Sequence, residues 1–404
     1  MQVDRDQFLE DGYIIRRAVI PPDQLEDLRA AYEIMVERQK VIWARERSPD
    51  APPGGAWETG MQPRLILHNM GNQIDAQTVQ TLEIWLHENL HGVSSELLGL
   101  EDAGVTEMMM MCNPVRDRGP AAWHRDFSPS YCAPLQGYTE DIIENGPRYV
   151  QWNVPLYDDD VLWVVPGSHK RSNTPEEIAQ LTKDHRAPLS SGLQVQLKAG
   201  DGVGYILPIM HWGSNYSAKK RRTMHGGYSA FTNYPDENYF GHLSASARET
   251  FERWERRSKE KIEQTESVLR AAIKRDGAGY RAALDVLHPG RGEKGKLQST
   301  FFLSKAARRI HHLKRPDFDT LPTRDQAHAT SLHPMTLQWG TAMADRFTAQ
   351  EAEILWTRFK PVDDALQAEE QQYSPGFQGE KSHYYLDRVP TDLSVDCFIA
   401  SWRT

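Results

Sequence analysis

The sequence predicts a mainly β core, an antiparallel barrel or sandwich, with flanking helices and a helical C-terminal region. Three observations carry this. Before residue 240, short β-type runs alternate with Gly/Pro turns, and beyond residue 100 no long helical pattern separates them. One run, Leu193-Gln194-Val195-Gln196-Leu197, alternates as a half-buried strand does. After residue 240, long charged helical patterns take over. The expected division is therefore 1–240 for the β domain with its N-terminal helices and 241–404 for a mostly helical extension packed on it.

The elements follow in order. Residues 6–12 read as a short helix stopped by Gly12, and 13–15 as a strand. Pro21 and Pro22 open a second helix with Leu25, Leu28, Tyr32 and Met35 at helical spacing. Residues 48–55, rich in Pro and Gly, form a surface loop. Residues 78–98 read as one amphipathic helix with Leu82, Trp85, Leu86 and Leu90 inward. Strands are expected at 107–112, 148–157, 161–165, 202–207 and 223–231; the four consecutive methionines of the first mark a core strand. A long helix over 244–275 carries Phe251, Trp254, Ile262, Leu269 and Ile273 on one stripe. Thr348 and Glu351 form the capping box of a later helix.

Composition narrows the function classes. A net charge of −9 argues against the basic face of a nucleic-acid binder. No apolar run approaches the roughly 20 residues that span a bilayer, and the N-terminus lacks a signal-peptide pattern. Cys112, Cys132 and Cys397 are too few and too scattered for a disulfide framework or a zinc site, which suits reduced thiols in a cytoplasmic protein. The expected partner is a small-molecule substrate, with neither nucleic acid nor membrane; the oligomeric state is not legible.

The sharpest chemical signal is Trp123-His124-Arg125-Asp126. A His and an Asp two apart on a strand share a face, so both can reach one metal ion. A third ligand must come from elsewhere, and His211, directly after the expected strand 202–207, is the candidate. Two imidazoles and one carboxylate leave three coordination positions open, as mononuclear non-haem iron(II) oxygenases require. Eleven residues after His211 stands Arg222, in the basic run Lys219-Lys220-Arg221-Arg222. The following strand could aim one arginine of this run inward, where it would need a carboxylate partner, since an unpaired buried charge is costly. His169, after Pro166-Gly167, reads as a structural residue of its turn. His225 lies opposite to Arg222 by strand parity and is not expected to be a ligand. His311 and His312, adjacent on a helix, point different ways and are poor candidates to share one metal.

With these residues in place, the sequence resembles the phytanoyl-CoA dioxygenase family of iron(II)/2-oxoglutarate oxygenases. The resemblance rests on Gln7-Phe8-Leu9-Glu10-Asp11-Gly12-Tyr13 with its Pro-opened helix, on the His124-x-Asp126 motif, on Leu162-Trp163-Val164-Val165-Pro166-Gly167-Ser168-His169-Lys170, and on Gly200-Asp201 followed by His211, Gly213, Asn215 and Arg222. It covers residues 4–231. It implies a double-stranded β-helix, the cupin-like jelly roll. It also implies iron(II) on His124, Asp126 and His211, with Arg222 on the distal carboxylate of the co-substrate 2-oxoglutarate and Trp152 lining the co-substrate pocket. The implied reaction consumes O2, oxidises an unactivated C–H bond, usually by hydroxylation, and releases succinate and CO2. Halogenating relatives lack the carboxylate found here at Asp126. Asp158-Asp159-Asp160 replaces the usual Asn-Gly turn, and the last 170 or so residues have no recognised counterpart. Adjacency to the motifs suggests Arg116, Arg118, Trp123, Tyr131 and Trp212 as substrate contacts. Two other readings stay open: a cupin-type metal enzyme that does not use 2-oxoglutarate, and a non-catalytic binding protein on the same fold.

Overall fold

The computed structural model describes residues 3–128, 132, 134–232, 238–330, 332–377, 382–389 and 393–403. They divide into two compact units. The first comprises Met1–Arg125, Tyr149–His169 and Asn173–Glu255; the second comprises Asp126–Arg148, Lys170–Ser172 and Arg256–Thr404.

The first unit is built on nine strands: β1 (Tyr13–Arg16), β2 (Arg64–Ile66), β3 (Gly104–Cys112), β4 (Tyr149–Pro155), β5 (Trp163–Val164), β6 (Leu193–Gln194), β7 (Gly202–Ile206), β8 (His211–Trp212) and β9 (Arg222–Ser229). Six form one antiparallel sheet in the order β1-β7-β4-β9-β3-β2, and three form a second in the order β6-β5-β8. Leu162, Val164, Val195 and Leu197 from the smaller sheet pack against Val203, Tyr205 and Ile209. Tyr13 and Ile15 close that core. This is the expected cupin-like jelly roll. The core is apolar because side chains alternate in direction along each strand, so every second residue of both sheets points between them.

The other face of the large sheet is covered by helices. Trp152 is buried there and donates Nε1–H to Ser94 Oγ at 2.9 Å, on the helix His91–Leu98. Glycine is required beneath it: a Cβ on Gly204 would lie 3.0 Å from the Trp152 ring. The single helix expected over 78–98 is instead a broken run, Gln80–Glu83, the 3₁₀ turn Ile84–Leu86 and then His91–Leu98. Leu82, Trp85 and Leu90 are buried as expected. However, His87 turns extended and its Nδ1 accepts the Asn89 N–H at 3.2 Å, which ends the first segment. The second helix starts at Leu25 rather than at Pro21. At the N-terminus, helix Arg5–Asp11 ends on Gly12 in the left-handed region, as expected. His169 packs against that end, its ring Nε2 donating to Leu9 O at 3.0 Å. That contact agrees with a structural role for His169.

The second unit is mainly helical. Glu293–Leu313 runs through it, burying Phe301, Phe302, Leu303 and Ile310. The capping box at Thr348 opens helix Ala349–Ala365. Arg148 Nε donates to Asp141 at 2.5 Å inside this unit, and Arg291 donates to the other oxygen at 2.7 Å. The long helix expected over 244–275 is Ala245–Ile273. Among the described residues, no helix is long and apolar enough to cross a membrane.

Candidate metal centre

Backbone pairing brings the two histidines together. The segment before Arg125 runs antiparallel to β8, with bridges Pro120 to Ser214 and His124 to His211. His124 and His211 exchange both N–H···O=C bonds, each 2.9 Å long. Residues opposed in this way carry their side chains on one face, and the imidazole centroids lie 4.4 Å apart.

Each ring is oriented by a main-chain carbonyl. His124 Nδ1 donates to Ala122 O at 2.8 Å, and His211 Nδ1 donates to Ile209 O at 3.1 Å. A carbonyl only accepts, so both Nδ1 atoms carry the proton and Nε2 is left as the ligating atom. Arg125 points away and is fully buried, donating to Ser168 O and Pro208 O, both at 2.7 Å, and to Asn173 Oδ1 at 2.8 Å. That anchor fixes the alternation of the segment, which returns Asp126 to the side of His124. One ligand atom from each of His124, Asp126 and His211 lies within 4.8 Å of the others. This is the one such group of His, Cys, Asp or Glu side chains found among the described residues. The donor set, two neutral imidazoles and one carboxylate, fits iron(II) bound on one face of its coordination sphere.

The sequence matches the model of the phytanoyl-CoA dioxygenase (PhyH) family over residues 8–224. The chain belongs to this family. No curated protein sequence matches it. Among solved structures, EctD from S. alaskensis with 2-oxoglutarate and 5-hydroxyectoine is 19% identical, at a TM-score of 0.39, over 56% of this chain and 74% of its own. AviO1 from Streptomyces viridochromogenes Tue57 is 20% identical, at 0.38, over 57% and 96%. The α-ketoglutarate-dependent epimerase SnoN from nogalamycin biosynthesis is 17% identical, at 0.36, over 56% and 81%. These likenesses are weak, and the family assignment rests on the sequence match.

Trp152 and Arg222, expected at the co-substrate pocket, both lie on the helix-covered side of the large sheet. Trp152 faces Ser94 and the helices, not the space between the sheets. Arg222 shares that side: its Nε lies 3.1 Å from Glu33 on helix Leu25–Glu46, and its terminal nitrogens donate to Glu33 and Asn113. Arg221 and Thr223 lie on the other side, where both bond Asp159 Oδ2, at 2.6 and 3.2 Å. His225 follows on that side, 2.5 Å from Asn153 Oδ1, and next along are Gln151 and Tyr205, joined at 2.7 Å. The Tyr205 ring lies 5.4 Å from that of His211. Gln151, Asn153, Tyr205 and His225 therefore share the face that meets the metal centre. The alternation Gln151-Trp152-Asn153 was the available signal, because the two amides flank a residue that packs on a helix.

Burial pushes the Asp159 carboxyl up, but Arg221 and the Val161 N–H outweigh it and hold it below the usual aspartate range. Trp123 and Trp212, suggested as substrate contacts, point away from His211 and pack with Leu181, Leu189 and Met210. Arg116 and Arg118 are exposed, and Arg118 donates to Thr59 O. Tyr131 lies outside the described residues.

Proposed function

We propose that this chain is an iron(II)- and 2-oxoglutarate-dependent dioxygenase that hydroxylates an unactivated C–H bond of a small organic molecule. The observation that carries this reading is the convergence of His124, Asp126 and His211, with both imidazoles fixed in the tautomer that ligates through Nε2. Iron(II) with 2-oxoglutarate and O2 supplies the oxidant, releasing succinate and CO2.

The chain's own residues bind and orient. His124, Asp126 and His211 would hold the metal, and its remaining positions would be open to co-substrate and O2. Asp126 fills the position that halogenating relatives leave to chloride, which favours hydroxylation. Arg221, which also lines the surface cavity beside Trp163 and Trp212, is the proposed anchor for the distal carboxylate. Its Nε is held by Asp159, and its terminal nitrogens have no side-chain partner among the described residues, which suits a forked grip on a carboxylate. Gln151, Asn153, Tyr205 and His225 offer hydrogen bonds on the face of the metal centre. The test is succinate release by the iron(II)-loaded protein with 2-oxoglutarate and panels of small organic substrates. Release that requires both iron and Asp126 supports the reading. Iron binding without any 2-oxoglutarate turnover would favour a cupin-type enzyme that dispenses with the co-substrate.

A further inference from the structure

Three indoles lead away from the candidate metal centre through the back of the smaller sheet. Trp123 precedes His124, and Trp212 follows His211. Their side chains leave the opposite face of the sheet and stack on one another, with centroids 5.5 Å apart and planes inclined by 15°. Trp212 in turn meets Trp163 edge to face at 5.7 Å. This contact is built into the register, because Trp163 lies directly opposite Trp212 on β5 just as Val164 lies opposite His211. Trp123 is buried, Trp212 is 5% exposed at the floor of a surface cavity of about 440 Å³, and Trp163, which is partly exposed, lines that cavity with Tyr216. The row therefore starts next to two metal ligands and ends at solvent.

Hydrogen bonding sets a direction along this row. Trp123 Nε1 donates to Ala187 O at 2.8 Å and Trp212 Nε1 donates to Ala121 O at 2.5 Å. A peptide carbonyl is a very weak base, so an indole oxidised at either position keeps its proton and stays a radical cation. Its electron deficit is then free to move on to a neighbouring ring. At Trp163 the cavity opens to water and to the side chains of Asp158 and Asp160. An oxidised indole can lose its N–H proton there.

We infer, resting on the oxygenase reading above, that Trp123, Trp212 and Trp163 form a relay that carries oxidising equivalents from the metal centre to the surface when co-substrate is consumed without substrate. The balance closes as follows. One 2-oxoglutarate and one O2, with two electrons and two protons, give succinate, CO2 and one water. The electrons leave Trp212 or Trp123 one at a time, Trp163 refills them, and oxidised Trp163 releases its N–H proton to water. A thiol or ascorbate in solution returns one electron and one proton to Trp163 on each passage. Without a reductant, Trp163 supplies both electrons, and water adds to the doubly oxidised indole with loss of two protons, which leaves it permanently hydroxylated. The row thus protects the metal ligands from the protein's own unspent oxidant.

The test is peptide mapping by mass spectrometry after aerobic incubation of the iron(II)-loaded full chain with 2-oxoglutarate and no substrate. A parallel sample receives hydrogen peroxide in place of 2-oxoglutarate and O2, so that an oxidant forms at bound iron even if the co-substrate reading fails. The relay predicts oxygen added at Trp163 or Tyr216, suppressed by ascorbate. In Trp163→Phe the adduct should move inward to Trp212 or Trp123, and in Trp212→Phe oxygenated Trp163 should be lost. Trp163→Phe serves as the second variant should Trp212→Phe fold poorly, and rapid-freeze electron paramagnetic resonance should show an indole radical in the parent protein. Succinate release with oxidation confined to Tyr205, Tyr13 or the metal ligands would overturn the relay and leave the proposed function standing. No succinate release, together with peroxide-driven oxidation at Trp163 that is lost in Trp212→Phe, would keep the relay and remove the co-substrate.

Discussion

Arg221 and Arg222 are neighbours in sequence with opposite assignments, which makes them a sharp pair of substitutions. In Arg221→Ala the distal carboxylate of 2-oxoglutarate loses its proposed partner. Removing one side of a hydrogen-bonded charge pair costs about 2–5 kcal/mol. The Arg221 side chain keeps some exposure, 12%, so the lower end applies. At about 1.4 kcal/mol per tenfold, this is roughly a 30-fold weaker hold on the co-substrate. In Arg222→Ala, Glu33 keeps Lys220 at 2.9 Å, and Asn113 Oδ1 keeps the Arg221 N–H at 3.0 Å. The cost there is packing and one buried pair, about 1–3 kcal/mol of stability. The assay is succinate release against 2-oxoglutarate concentration, with urea unfolding beside it. Arg221→Ala should raise KM for 2-oxoglutarate, and Arg222→Ala should lower stability while leaving that KM within a few-fold. The reverse pattern would refute the assignment by strand side.

Other expectations are as direct. Asp126→Ala should abolish succinate release while the far-ultraviolet circular dichroism stays native; retained turnover would remove the carboxylate from the metal. Gly204→Ala should destabilise the protein by about 1–3 kcal/mol through overpacking against Trp152, with iron affinity unchanged in a metal titration. Asp159→Asn should loosen Arg221 and raise KM for 2-oxoglutarate several-fold with little change in kcat. Because the folded carboxyl of Asp159 is held low, its contribution to stability is present above the ordinary value of 3.8 and is lost as pH falls through the folded value. Urea unfolding of the parent and Asp159→Asn should therefore differ near neutral pH and converge below 3.8; a constant difference at both would contradict the ion pair.

The candidate metal group was legible because its information is local. His124 and Asp126 are two apart, and His211 follows a strand whose hydrophobic pattern announces itself. The sheets were legible for the same reason, since alternation at 193–197 and the Gly/Pro turns survive in the one-letter code. What the sequence hid was parity. Arg221 and Arg222 differ by one position, and a shift of one residue moves a side chain through the sheet. Only the Asp159 contact to both Arg221 and Thr223 shows which arginine joins His225. Trp152 is ambiguous for the same reason: an aromatic residue on a strand beside a motif fits either face until Ser94 is seen to bond it. The 78–98 segment was misread because a 3₁₀ turn keeps Leu82, Trp85 and Leu90 inward almost as well as a continuous helix does. Arg125 carried no signal, since its partners are carbonyls from remote turns.

The most direct measurement is anaerobic optical titration of the metal-free protein, first with iron(II) and then with 2-oxoglutarate. Chelation by the co-substrate at a three-ligand ferrous centre should bring up a broad visible charge-transfer band, saturating at one iron per chain and absent in His211→Ala. A featureless visible spectrum from protein shown to hold iron, or an unchanged band in that variant, would contradict the assigned centre.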